Sequence, residues 1–156
     1  MRRLFQITGI AALLCFAVLG WLGLTELTTH AGGTFDARFL GYDLDEAKTY
    51  VGSLSPAATV TYLKTFRYID SVFPVLLAAW IWIGFRLYNM RFGGLFLSVI
   101  YLVSDFRENR LVAEILRTEP LTELLVTQAS QATVMKWLAL AVAFACLAVL
   151  KVRRRA

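Results

Sequence analysis

The sequence has few of the residues that build disulfide frameworks and metal centres. It contains two cysteines and one histidine among 156 residues. Cys15 and Cys146 both lie within apolar runs, where a thiol behaves as a small hydrophobic side chain. His30 would need carboxylates to complete a transition-metal site, a sparse ligand set for zinc or iron. We therefore expect no disulfide, no bound metal and no cofactor.

Charged residues are also scarce, at 17% of the chain against 58% hydrophobic residues. The mean hydropathy is +0.63, and a soluble core of this length could not bury so much apolar side chain. A lipid bilayer is the solvent that fits. The formal net charge of +5 does not indicate a nucleic-acid partner, because the basic residues flank apolar runs.

Four apolar segments predict four transmembrane helices. The uncharged run from Leu4 to Leu24 has about the 20 residues needed to cross the hydrocarbon core. We interpret it as an uncleaved anchor, with cleavage after Ala31 as the alternative. The third segment spans a membrane only if its helix continues past Asp105 to about Leu116. The predicted spans cover residues 4–24, 71–88, 94–116 and 131–150.

Basic residues predict the orientation of these helices. The N-terminus, the link near Arg86 and Arg91, and the C-terminal tail are basic and carry no acidic residue. The positive-inside rule places all three on the cytoplasmic side. The prediction is an all-α, four-helix bundle of one domain (1–156) in the bacterial inner membrane, with both termini cytoplasmic. Residues 25–69 form an external segment with a short helix near 43–50 and a longer helix beginning at Pro56.

A polar cluster interrupts the third predicted span. Asp105, Glu108 and Asn109 lie on one face of a helix, at i, i+3 and i+4. Lys136 lies at a similar depth in the fourth span, and a charged group in lipid needs a partner, so we predict that Lys136 pairs with Asp105 or Glu108. Three further residues complete the predicted cluster between spans two, three and four: Asp70, Tyr101 and Gln131.

Two short motifs in the sequence resemble those of a group of bacterial membrane proteins. Asp70-Ser-Val-Phe-Pro74, followed by Ser104-Asp105-Phe-Arg-Glu108-Asn109, is similar to a group of uncharacterised bacterial four-helix membrane proteins. Those proteins have an Asp before a Phe-Pro step on helix two and a D-x-x-E-N motif on helix three. The resemblance implies the same architecture and carries no assigned reaction.

Three interpretations of the function remain open at this point. The polar cluster is either a structural network, a site for a ligand, ion or proton, or a catalytic group. We expect non-enzymatic binding of a small molecule, lipid or partner. The alternatives are an accessory subunit of a membrane complex, which would require a protein partner, and an enzyme or proton-coupled carrier using Asp105 and Glu108. A homo-oligomer is compatible with each.

Overall fold

The predicted all-α fold is confirmed by a computed structural model, which describes residues 1–154. Within that range the chain has five helices and no β-strand. Helix α1 (Arg2–Leu22) continues through a π-type turn to Leu27. The remaining helices are α2 (Leu44–Ser53), α3 (Pro56–Arg86), α4 (Arg91–Ile115) and α5 (Glu123–Arg153).

Three of these helices are long and apolar enough to cross a membrane: Arg2–Leu27, Pro56–Arg86 and Glu123–Arg153. Each leaves many apolar side chains exposed on its surface, as a lipid-facing helix does. Helix α4 has 25 residues, a sufficient length, but it carries six charged residues. It continues through Asp105 to Ile115, close to the predicted end at Leu116.

The polar region between α1 and the apolar part of α3 folds as its local sequence predicts. Asp43 and Glu46 form a reciprocal capping box at the start of α2. Ser55 caps α3 and Pro56 occupies the first helical position, which has no need of an N–H donor. Helix α5 begins at Glu123, before the predicted span, because Thr122 caps a polar first section that hydropathy does not detect.

Helix packing leaves one gap in the bundle. Helix α1 packs against α3, α3 against α4, and α4 against α5. The two outer helices of this row, α1 and α5, make no extensive contact with each other. The four long helices therefore pack in a row, and a gap separates the first helix, α1, from the last, α5.

The close packing of α4 on α3 depends on one of two adjacent glycines in the first turn of α4. A Cβ on Gly94 would lie 2.3 Å from Cβ of Phe85, so only glycine allows this close approach. Gly93 has no neighbour within 4 Å of such a position. Gly94 is therefore the glycine that allows α4 to pack closely against Phe85 of α3.

Candidate functional site

Lys136 is the centre of the polar cluster. Its side chain is buried and its Nζ contacts three carboxylates, from Asp36, Asp105 and Glu108. The distances to Asp36 and Asp105 are 3.1 and 3.5 Å. The predicted pairing of Lys136 with the two acids of the third span is confirmed, and both acids take part. One lysine among three acids leaves a formal charge of −2 in a buried site.

Glu108 is the most deeply buried acid of the cluster, with no exposed surface. Besides its contact with Lys136, it accepts a hydrogen bond of 2.5 Å from the Thr133 hydroxyl. Thr133 and Lys136 are three residues apart on α5, so they present both partners to the same carboxylate. Helices α4 and α5 are thus joined by a charged pair and a hydrogen bond at one residue.

Asp36 belongs to the cluster and was absent from the sequence prediction. It lies in a short helical turn, Phe35–Ala37, outside the long helices. Its carboxylate accepts hydrogen bonds from Lys136 and from the Tyr62 hydroxyl, at 3.1 and 2.8 Å. Its carbonyl oxygen accepts a bond of 2.9 Å from Trp137 Nε1. Residues 28–42, which we call the docking segment, are therefore fixed to α3 and α5.

No signal in a single sequence would have identified Asp36. Its segment has no helical or strand periodicity, and its partner Lys136 is 100 residues further along the chain. The last residue of the docking segment makes a similarly long-range contact, since the backbone N–H of Tyr42 donates to the Ser130 hydroxyl at 2.9 Å. Just outside the segment, the Tyr50 hydroxyl of α2 donates to the Leu27 carbonyl, also at 2.9 Å.

The side chains of two tyrosines in this region, Tyr42 and Tyr50, are buried. Burial, and then the negative charge of Glu108, raises the pKa of Tyr42 above its ordinary value. Burial, and then Asp36, does the same to the pKa of Tyr50. Both phenols consequently stay protonated at physiological pH.

Pro74 explains the position of Asn109. A proline within a helix has no N–H, so the carbonyl four residues earlier, that of Asp70, loses its helical donor. Asn109 Nδ2 donates to that carbonyl at 3.4 Å and to the Asp105 carboxylate at 3.1 Å. The Asp-x-x-x-Pro step of α3 and the asparagine of α4 are therefore one structural unit.

Asp70 and Tyr101 are brought to the cluster without a partner for their own side-chain oxygens. Asp70 is 5% exposed, and its carboxylate forms no hydrogen bond or ion pair with any residue in the described part of the chain. Arg67, one turn earlier on α3, does not form an ion pair with it. Tyr101 is 1% exposed, and its hydroxyl has no hydrogen-bond partner among those residues. Both side chains line a cavity.

The prediction for Gln131 is wrong. Its side chain is exposed and lies away from the cluster. Thr133, only two residues later, is fully buried against Glu108. Two residues of an α-helix are separated by about 200° around the axis, so Gln131 and Thr133 point in nearly opposite directions.

The cavity occupies the gap between α1 and α5 and has a volume of about 1150 Å³. We call it the α1–α5 groove. Its walls are largely apolar, with side chains of α1 on one side and of α3 and α5 on the other. The sequence prediction placed a pocket between the second, third and fourth spans and did not include α1. The polar residues that line one end of the groove are Asp36, Asp70, Tyr101, Asp105 and Lys136.

Aromatic rings close the groove at the opposite end. The Trp80 ring stacks on Phe5 of α1, with ring centroids 4.9 Å apart. Its centroid lies 5.7 Å from that of the Phe144 ring on α5. Gly9 allows α1 to approach, since a Cβ there would lie 2.6 Å from Trp80 Nε1. Asp70 and Trp80 are ten residues apart on α3, so the apolar section between them is about 15 Å long.

The cluster does not resemble a metal centre. No group of three or more histidine, cysteine, aspartate or glutamate side chains in residues 1–154 could hold a metal ion. The ammonium of Lys136 lies where the carboxylates of Asp36, Asp105 and Glu108 converge.

No protein family, curated protein or solved structure matches this chain. The resemblance to uncharacterised four-helix membrane proteins stays a prediction.

Proposed function

We propose that this chain is a non-enzymatic integral membrane protein that binds an amphiphilic small molecule or lipid in the α1–α5 groove. The observation that carries the proposal is the groove itself: a cavity of about 1150 Å³ with apolar walls and one charged end. Ligand sites are typically concave and mostly apolar, with a few convergent polar groups, and this groove has that composition. Its opening between two helices that face lipid suits a ligand that arrives from the membrane.

The proposal includes four membrane crossings, with both termini in the cytoplasm of a bacterium and the protein in its inner membrane. The length of α4 and the basic residues near both termini and between α3 and α4 support this arrangement. Single cysteines at Met90 and Thr118, in a background lacking Cys15 and Cys146, test it with an impermeant thiol reagent. We expect labelling from opposite sides of the membrane. Labelling of both positions from the same side would refute the crossing by α4.

Occupancy of the groove is tested by filling it. Gly20 lines the groove, and a Cβ at this position would have no neighbour within 4 Å, so a phenylalanine there enters free space. We expect native mass spectrometry to detect a bound amphiphile in the wild-type protein and much less in Gly20→Phe. Gly52→Phe is the control, since Gly52 also has free space around it but lies outside the groove. Equal occupancy in the two variants would contradict the proposal.

A second candidate is an accessory subunit that docks a membrane-protein partner through the docking segment. The observation that favours it is an exposed apolar pair at the tip of this segment, where Phe39 is 61% and Leu40 86% exposed. Native electrophoresis after gentle extraction tests it. A partner should co-migrate with the wild-type protein and be lost from Leu40→Ser, whereas a protein that always migrates alone or as a homo-oligomer contradicts this role.

A further inference from the structure

We infer that the ligand of the α1–α5 groove carries an amine headgroup, held as an ammonium by Asp70 and Tyr101, on an apolar chain. This inference rests on the proposed function and names the chemical class of its ligand. The ammonium would lie at the polar end of the groove, and the chain would extend toward Trp80.

Charge favours a cation at the polar end of the groove. Three carboxylates, of Asp36, Asp70 and Asp105, line it together with one ammonium, that of Lys136, so the lining has a formal charge of −2. Buried charges are stable when they are paired and are strongly destabilising when they are not. An anionic headgroup would add to the excess of negative charge, whereas an ammonium reduces it.

The hydrogen bonds in the cluster show where a headgroup finds free acceptors. Asp36 already accepts from Tyr62 and Lys136, and Asp105 contacts Lys136 and accepts from Asn109. The Asp70 carboxylate and the Tyr101 hydroxyl line the same cavity, are at least nine-tenths buried and remain unpartnered within residues 1–154. A primary ammonium supplies three N–H donors, and both side chains offer acceptor oxygens.

The shape of the groove indicates that its ligand has an apolar chain. Between Asp70 and Trp80 the groove is apolar over about 15 Å, and the aromatic rings of Phe5, Trp80 and Phe144 close its far end. A soluble amine would leave this section without a hydrophobic occupant. An aliphatic chain of about a dozen carbons spans this length, so the source is an amphiphile of the membrane rather than a free polyamine.

Photo-crosslinking with three matched probes tests the inference. Each probe has a dodecyl chain with a diazirine near its methyl end, and the heads are a primary amine, a carboxylate and a hydroxyl. The full-length protein is irradiated with each probe in phosphatidylcholine nanodiscs. Mass spectrometry then compares adducts on residues at the aromatic end of the groove, such as Trp80, with adducts on Val149, an exposed residue of α5 outside the groove.

We expect the amine probe to label the groove about tenfold more than the hydroxyl probe, as one charge-assisted hydrogen bond implies. Asp70→Asn should reduce the labelling by the amine probe to the level of the hydroxyl probe. Tyr101→Phe, which removes one oxygen atom only, should reduce it in part and serves if Asp70→Asn does not fold. Glu114→Gln, at an exposed acid on α4, should leave the preference unchanged.

The outcomes separate this inference from the proposed function. Equal labelling of the groove by all three probes would overturn the amine headgroup and leave amphiphile binding intact. Preferential labelling by the carboxylate probe would also overturn it, since Lys136 would then be the headgroup partner. A groove labelled no more than Val149 by any probe would overturn the proposed function, and the inference with it. Effective competition by spermidine would identify a soluble amine as the ligand and would overturn the apolar chain.

Discussion

Replacing Lys136 by methionine should destabilise the protein more than any other single substitution in the polar cluster. Methionine keeps the unbranched apolar stem of the side chain and removes the terminal ammonium, with its charge and its N–H donors. Asp36, Asp105 and Glu108 would then share a buried site without a cation. Removal of one partner from a buried ion pair costs about 3–5 kcal/mol, because the remaining charge stays buried without compensation.

Reversible unfolding in mixed detergent micelles, followed by tryptophan fluorescence, measures this loss. A decrease of about 3–5 kcal/mol corresponds to a melting temperature lower by roughly 10 °C for a chain of this length. Lys48→Met on the exposed face of α2 is the matched control and should change the free energy of unfolding by less than about 0.5 kcal/mol. The double variant Lys136→Met/Glu108→Gln should recover part of the loss, with a coupling free energy of about 0.5–3 kcal/mol. A Lys136→Met variant as stable as the control would refute the role of this lysine as the central counter-ion.

Three further predictions concern the docking segment, the proline step and the turn glycines. Asp36→Ala removes the bonds from Lys136 and Tyr62, so hydrogen exchange in residues 28–42 should become about tenfold faster, and unchanged exchange would contradict the docking. Asn109→Ala should lower the free energy of unfolding by about 1 kcal/mol in the wild type, because it removes a hydrogen bond to the Asp70 carbonyl. Pro74→Ala gives that carbonyl a backbone N–H donor, so Asn109→Ala should cost less in the Pro74→Ala background. Equal costs in the two backgrounds would argue against the shared carbonyl. Gly94→Ala should destabilise the protein by about 1–3 kcal/mol through a clash with α3, whereas Gly93→Ala should be neutral or slightly stabilising in the same unfolding assay.

Local rules of sequence were sufficient for the ends of several helices and for one charged contact. Ser55-Pro56 and the acids after Tyr42 predicted the starts of α3 and α2, because caps depend on residues within one turn. Lys136 and the acids of α4 were paired because charged groups in an apolar helix have to find a partner. Both arguments use information that is local in the chain or imposed by the lipid.

The position of Asp36 and the groove beside α1 could not be obtained in this way. A helix with apolar residues on all sides, such as α1, does not reveal which face packs and which faces a gap. Asp36 is fixed by Lys136, Trp137 and Tyr62, three residues on two helices that are distant from it in the chain. Gln131 was misplaced for a related reason, since a run of polar residues on a helix does not by itself indicate one face.

The location of the single buried lysine on the last helix determines the order in which the chain can mature. During synthesis, Asp36, Asp105 and Glu108 all leave the ribosome before Lys136 does. A nascent chain that holds only α1 to α4 has three acids and no counter-ion, and its docking segment has the bonds to Tyr62 of α3 but none to α5. Addition of α5 then supplies the ammonium and completes the contacts of the docking segment in one step. Incomplete chains therefore lack the bonds between the docking segment and α5, and amide hydrogen exchange in residues 28–42 should be faster in them than in the complete protein.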